Sequence, residues 1–174
     1  MRRLILMRHA KAERGKGIAD RDRALDERGR KTAPRMGTFL AAEGLRPDAV
    51  RVSSARRTLE TWDGVRTALD GIEAEPVSAL YEAQMSVILD VVRAAPAGAA
   101  CLLVIGHNPG IQDLAASLAG TGAEDGRRRL ALEFPTAALA VIDFDIGDWS
   151  EVAAGEGHLE RFVMPGDVAE VSSD

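Results

Sequence analysis

Hydrophobic positions fall along this chain in discrete blocks, and the spacing inside each block separates strand from helix. The run Leu4-Ile5-Leu6-Met7 is short and uninterrupted, as expected of a strand buried on both faces. A polar, charged loop from Lys11 to Asp26 follows. Ala33, Met36, Gly37 and Leu40 then recur at helical spacing, and Gly44 closes that helix. Asp48 to Val52 reads as a second strand. Ser53 or Ser54 is placed to cap a helix whose apolar face is Leu59, Trp62, Val65 and Leu69, ending near Gly71. After a weakly extended stretch, Ala74 to Leu80, the stripe Met85, Ile88, Leu89 and Val92 predicts a helix stopped before Pro96.

Cys101-Leu102-Leu103-Val104-Ile105 repeats the character of the first block and predicts another central strand. Pro109 suits the first turn of a helix whose buried stripe is Ile111, Leu114, Ala115 and Leu118. Gly120 to Arg129 reads as a polar loop with a basic end, more simply a solvated run than a surface for an acidic partner. Two last strands are expected, Ala137 to Phe144 and a partner over His158 to Val163. Alternating elements predict a three-layer α/β/α sandwich around a mostly parallel sheet. Residues 1–164 form its single domain, and 165–174 a polar, acidic tail free to fray.

Composition narrows the function. At 174 residues the chain is long enough for one full core. A net charge of −5 does not favour a nucleic-acid surface. The lone cysteine, Cys101, lies in an apolar run and reads as a buried, inert thiol. No Cys/His cluster of the kind that holds zinc is present. Arg8 interrupts the first apolar run too early for a signal sequence, no run reaches membrane-spanning length, and the cytoplasm is the expected compartment.

Chemistry concentrates where strands stop. The first strand delivers Arg8 and His9, and the Cys101–Ile105 strand delivers Gly106-His107-Asn108-Pro109-Gly110. Between them, Ser53-Ser54-Ala55-Arg56-Arg57-Thr58 ends a strand and opens a helix. Ligands of open α/β sheets bind at the carboxyl ends of strands, and guanidinium groups and helix N-termini suit phosphate oxygens. Each residue alone has a plainer reading: a solvated arginine pair, or a histidine serving loop geometry. Matched in kind and context, Arg8, His9, Arg57 and His107 predict one anion pocket with His9 as a nucleophile able to carry a phosphoryl group. His158 lacks that context and reads as a surface residue.

Met7-Arg8-His9-Ala10 resembles the Arg-His-Gly motif of the histidine phosphatase superfamily, the fold of phosphoglycerate mutases and acid phosphatases. Leu4 to Ala12, Asp22 to Gly29, Val52 to Thr61, Val104 to Gly110 and Phe134 to Val141 resemble, in order, its compact SixA-type phosphohistidine phosphatase branch. The resemblance implies that His9 is the phosphorylated nucleophile, while Arg8, Arg57 (rather than Arg56) and His107 hold the phosphoryl oxygens. It also implies a reaction without a metal or other cofactor. Two positions depart from the pattern: Ala10 stands for the motif glycine, and Ser54-Ala55 occupies a stretch where many relatives have Ser-Pro.

Cleaving a phosphoester calls for a general acid. Glu82, after the third extended segment, is the candidate, with Asp20 and Asp22 as weaker ones. Glu82 also suits the start of the Met85 helix, where an acidic side chain meets the dipole favourably. Imidazole leaves more readily than an alkoxide, so a phosphohistidine substrate relaxes this need. Short inter-motif loops predict an open site that admits a phosphohistidine on a protein, such as a histidine phosphotransfer domain. The rival expectations are a phosphatase or mutase for a small phosphorylated substrate, and a non-catalytic phosphoprotein-binding module.

Overall fold

A computed structural model of the chain describes residues 1–170. Seven strands form one sheet in the order β3-β2-β4-β1-β6-β7-β5. Their ranges are β1 Arg2–Arg8, β2 Ala49–Ser53, β3 Ala74–Val77, β4 Cys101–Gly106, β5 Ala119–Gly122, β6 Leu139–Phe144 and β7 Gly157–Val163. The pairs β1–β4, β2–β4, β2–β3 and β5–β7 are parallel, and β6 runs against both β1 and β7. The sheet is therefore mostly parallel, with β6 alone reversed.

Five helices cover its two faces: α1 Glu27–Ala42, α2 Arg56–Val65, α3 Met85–Arg93, α4 Gly110–Leu118 and α5 Glu124–Leu132. The pleat of β1 divides the core. Ile5 and Met7 pack with Met36 and Leu40 of α1 and Trp62 and Val65 of α2. Leu4 and Leu6 face the other way, with Ile88 and Val92 of α3, Ile111 and Leu114 of α4 and Leu130 of α5. Adjacent β1 and β4 thus feed helices on opposite faces. Their shared end is the topological switch point, where open α/β sheets place their ligands.

Local sequence explains most boundaries. Asp26 caps α1 by accepting from the Gly29 amide at 2.8 Å, and Gly44, at φ +68°, turns the chain out of it. α2 is shorter than its apolar stripe, giving way at Arg66–Ala68 to a 3₁₀ turn that still buries Leu69. Met85 opens α3 exposed, and the helix buries Ile88 and Val92. Pro109 immediately precedes α4 as its N-cap.

Gly120 to Arg129 is not a loop. It contributes the edge strand β5 and most of α5, and all three arginines are engaged. Arg127 donates to the Gly120 carbonyl, Arg128 pairs with Asp125, and Arg129 pairs with Asp167 at 2.8 Å. That last pair ties the start of the presumed tail, a 3₁₀ turn over Pro165–Asp167, to the domain, as does Arg35 donating to the Pro165 carbonyl. Residues 171–174, also assigned to the tail, lie outside the described residues. Cys101 is partly buried, and burial pushes its thiol up to about 12. His158 is exposed on β7 beside Thr121. Among the described residues, no helix is long and apolar enough to cross a membrane.

Candidate active site

Register builds the site. Across β1 and β4, Met7 sits opposite Ile105 and Arg8 opposite Gly106; across β2 and β4, Val52 sits opposite Ile105. Parallel strands in that register end together, so His9, Ser53 and His107 emerge side by side. The rings of His9 and His107 are 5.3 Å apart, inclined at 56°. The reversed strand adds a clamp. Ala137, just before β6 and at φ +64°, donates its amide to the carbonyls of both Arg8 and His9, at 3.1 and 3.0 Å.

His9 is buried, and its Nδ1 lies 2.7 Å from the Ala10 carbonyl. A carbonyl only accepts, so Nδ1 carries the proton and Nε2 keeps its lone pair. Thr61 holds the next residue, its hydroxyl accepting from the Ala10 amide at 2.9 Å and donating to the Arg57 carbonyl. Burial chiefly, with the charges of His107, Arg57 and Arg8 adding, pushes the His9 imidazole down to about 3. His107 is likewise pushed down to about 4, by burial and then by Arg57. Two neutral imidazoles therefore share the site at neutral pH.

Two arginines face them. Arg8 donates to the Phe134 carbonyl at 3.0 Å, and burial lowers its affinity for its proton. Arg57, almost fully buried at the start of α2, is the hub. Its Nη1 donates to the Asp20 carbonyl at 2.8 Å, and its Nη2 to the Asp20 carboxylate at 3.1 Å and Glu82 at 3.3 Å. The buried Nε of each arginine has no partner among the described residues. Arg56 points elsewhere, pairing with Glu60.

The structure brings the residues singled out in the sequence together: Arg8, His9, Arg57, Glu82 and His107 line one pocket of about 270 Å³. Glu82 is mostly exposed, adopts φ +51°, and turns toward Arg57 rather than serving the dipole of α3, which begins at Met85 after Gln84. It is held close because Gly110 opens α4 against the neighbouring residue: a Cβ there would lie 2.1 Å from the Ala83 carbonyl oxygen.

Three contributors were missed or misread. Neither Ser53 nor Ser54 caps α2, whose N-cap is Ala55 without a side-chain bond. The Ser53 hydroxyl is instead 2.7 Å from His107 Nε2, and Ser54 pairs with Arg21. Asp20, only a weak candidate by sequence, is in the site and accepts from Tyr81, whose bond, ahead of the Arg57 charge, pulls the carboxyl down to about 2. Tyr81 stands edge-on to His107 with centroids 5.6 Å apart. Position at a strand end was the signal available for Ser53; the loop sequence offered Asp20 and Asp22 alike and did not reveal the hold of Asp20 on Arg57. Asp22 lies exposed in the same 3₁₀ turn and is not among the pocket's lining residues. Among the described residues no group of three or more His, Cys, Asp or Glu is placed to hold a metal ion.

The sequence profile of the histidine phosphatase superfamily (branch 1) matches residues 4–89. An uncharacterized protein of Mycobacterium tuberculosis, Rv1276c, is 35% identical over 162 residues, covering 91% of this chain and 99% of that protein. The chain belongs to the histidine phosphatase superfamily. Within it, this histidine phosphatase is similar to a structure provisionally assigned as the phosphohistidine phosphatase SixA of Nakamurella multipartitia. The TM-score is 0.82 and identity 28%, covering 94% of this chain and 96% of that one. A protein of Agrobacterium tumefaciens with the same provisional assignment gives 0.79 and 29%, covering 94% and 98%. The fold and its SixA-type likeness thus agree with the motifs read from the sequence.

Proposed function

We propose that this protein is a phosphatase that hydrolyses phosphohistidine through a phosphoryl group carried transiently on His9. The observation that carries the reading is the Ala10 carbonyl on His9 Nδ1, which leaves Nε2 as a lone pair in a pocket with Arg8, Arg57 and His107. His9 Nε2 attacks phosphorus, the bond from phosphorus to the substrate nitrogen breaks, and the substrate imidazole leaves with its electron pair and takes up a proton. Water then attacks the phosphorus on His9, releasing phosphate and restoring the neutral ring. Arg8, Arg57 and His107 hold the three equatorial oxygens, the positioning and charge stabilisation on which phosphoryl transfer depends. No step calls on a metal or an organic cofactor.

Phosphohistidine, displayed on a protein such as a histidine phosphotransfer domain, is favoured over a small ester by two features. Glu82 is mostly exposed and its carboxylate is turned onto Arg57, not held toward a leaving oxygen as the general acid of ester cleavage must be. The pocket also shares Lys11 and Thr136 with a neighbouring groove of about 1210 Å³, which gives room for chain flanking a phosphorylated side chain. The reading of a small phosphomonoester as substrate keeps the same pocket and makes Glu82 its acid. The cytoplasm is the proposed compartment.

The test is phosphate release from a phosphohistidine-bearing phosphotransfer protein and, in parallel, from a panel of small phosphoesters. The expected result is preference for the phosphoprotein, lost in His9→Ala and retained within a few-fold in Glu82→Gln. Faster release from a small ester that collapses in Glu82→Gln, by roughly 10²-fold or more, replaces the reading with the ester one. Full activity in His9→Ala removes the mechanism altogether.

A further inference from the structure

We infer that Ser53 is a positioning residue that fixes His107 as the tautomer protonated on Nδ1, making this ring a one-way hydrogen-bond donor to the phosphoryl group. The inference rests on the functional reading above for what the ring binds, and on the Ser53 contacts alone for which nitrogen carries the proton.

Ser53 is fully buried at the last position of β2, with its Oγ 2.7 Å from His107 Nε2. The same oxygen accepts from the Ala55 amide at 3.3 Å. One lone pair is therefore taken, and the hydroxyl hydrogen needs an acceptor. Among the described residues, His107 Nε2 is the only acceptor within reach of it. If Nε2 carried the proton instead, Ser53 would accept twice and leave a buried O–H without a partner, an arrangement proteins avoid. Ser53 thus donates and Nε2 accepts, which sends the imidazole proton to Nδ1.

Nδ1 lies on the pocket side of the ring, 3.4 Å from Arg57 Nη2. That separation is long for a hydrogen bond, so the weak pull of the guanidinium on Nδ1 is outweighed by the 2.7 Å bond between Ser53 and Nε2. An oxygen lodged against Arg57 accepts from Nδ1–H at the same time. The burial that keeps His107 neutral makes the tautomer decisive, since a neutral ring has only one N–H to give. With the opposite tautomer the ring would turn a lone pair toward a negatively charged oxygen. Ser53 therefore acts through His107 and touches no substrate atom.

The experiment uses the whole protein with ¹⁵N-labelled histidine, recording ring nitrogen shifts at neutral pH for wild type, Ser53→Ala and Ser53→Thr. Binding of inorganic phosphate is measured by calorimetry on the same samples, and melting temperatures identify any variant that fails to fold. Wild type is expected to show His107 protonated on Nδ1. Ser53→Ala is expected to move the proton to Nε2, with Nδ1 then accepting from Arg57. Its phosphate affinity should fall on the order of tenfold, by analogy with loss of an outer partner that orients a ligating histidine. Ser53→Thr, which keeps the hydroxyl, is expected to restore both tautomer and affinity.

Protonation on Nε2 in wild type overturns the inference, as does an unchanged tautomer in a folded Ser53→Ala. Neither readout depends on turnover, so wild-type inactivity toward phosphohistidine counts against the proposed function and leaves the tautomer result standing.

Discussion

Asp20 holds Arg57 twice, through its backbone carbonyl on Nη1 at 2.8 Å and its carboxylate on Nη2 at 3.1 Å. The carboxylate stands where a phosphoryl oxygen would seek the same guanidinium. It is about half exposed and pulled down to about 2, so it is charged throughout the physiological range. On the proposed reading, phosphate and Asp20 compete for Arg57.

Neutralising that carboxylate while keeping its shape should favour phosphate. In Asp20→Asn the carbonyl contact and an acceptor for Tyr81 both remain. The inhibition constant for inorganic phosphate is expected to tighten by roughly two- to fivefold, the range that one partly exposed ion pair commands. Weaker phosphate inhibition in this variant would show that Asp20 supports the anion site rather than competing for it.

Acid should reveal the buried imidazoles. His9 and His107 sit at about 3 and about 4 when folded, against an ordinary value of 6.5. Below 6.5 the unfolded chain takes up protons on both rings that the folded chain refuses. Their contribution to stability is therefore intact above pH 6.5 and is lost as pH falls toward 4 and then 3, by up to about 1.4 kcal/mol per pH unit for each ring. Denaturant midpoints should be flat above neutrality and decline through that window. Over the range where the fold survives, the acid limb of kcat/KM should lie well below 6.5; a limb at 6.5 would mean that the essential imidazole is solvated.

The contact between α4 and the Glu82–Ala83 backbone gives a mutation with a built-in control. Gly110→Ala would drive a methyl group to 2.1 Å from the Ala83 carbonyl oxygen, a clash with backbone that no rotamer relieves. A stability loss of about 1–3 kcal/mol is expected, together with reduced phosphatase activity as the displaced segment moves Tyr81 against His107 and Arg57. Gly98→Ala, where an added Cβ meets nothing within 4 Å, should melt like wild type. Equal melting of the two variants would show that the α4 contact yields freely.

The pocket could be read from sequence because its makers announce themselves twice, by chemistry and by position. Arg8, His9 and His107 follow apolar runs directly, and a parallel sheet in register does the rest. What was missed or misread lacks that double mark. The helix α5 has one buried residue, Leu130, and so no stripe for periodicity to find. The edge strand β5 is Ala-Gly-Thr-Gly, too short and too poor in branched residues to look extended. Ser53 advertised helix capping, yet the chain gave that place to Ala55 and turned the hydroxyl toward a histidine. Asp20 reaches Arg57 across a loop, a contact between residues 37 apart that local pattern does not encode.

The reversal of β6 has a mechanical result. Because that strand starts at the site instead of ending there, a single amide, that of Ala137, grips the backbone on both sides of the bond joining Arg8 and His9. The imidazole proposed to receive a phosphoryl group and then surrender it is bolted to the sheet like an anvil. The carboxylates of Asp20 and Glu82 reach in from connections between elements, outside the sheet. Any change in that acidic collar leaves the striking surface where the sheet puts it.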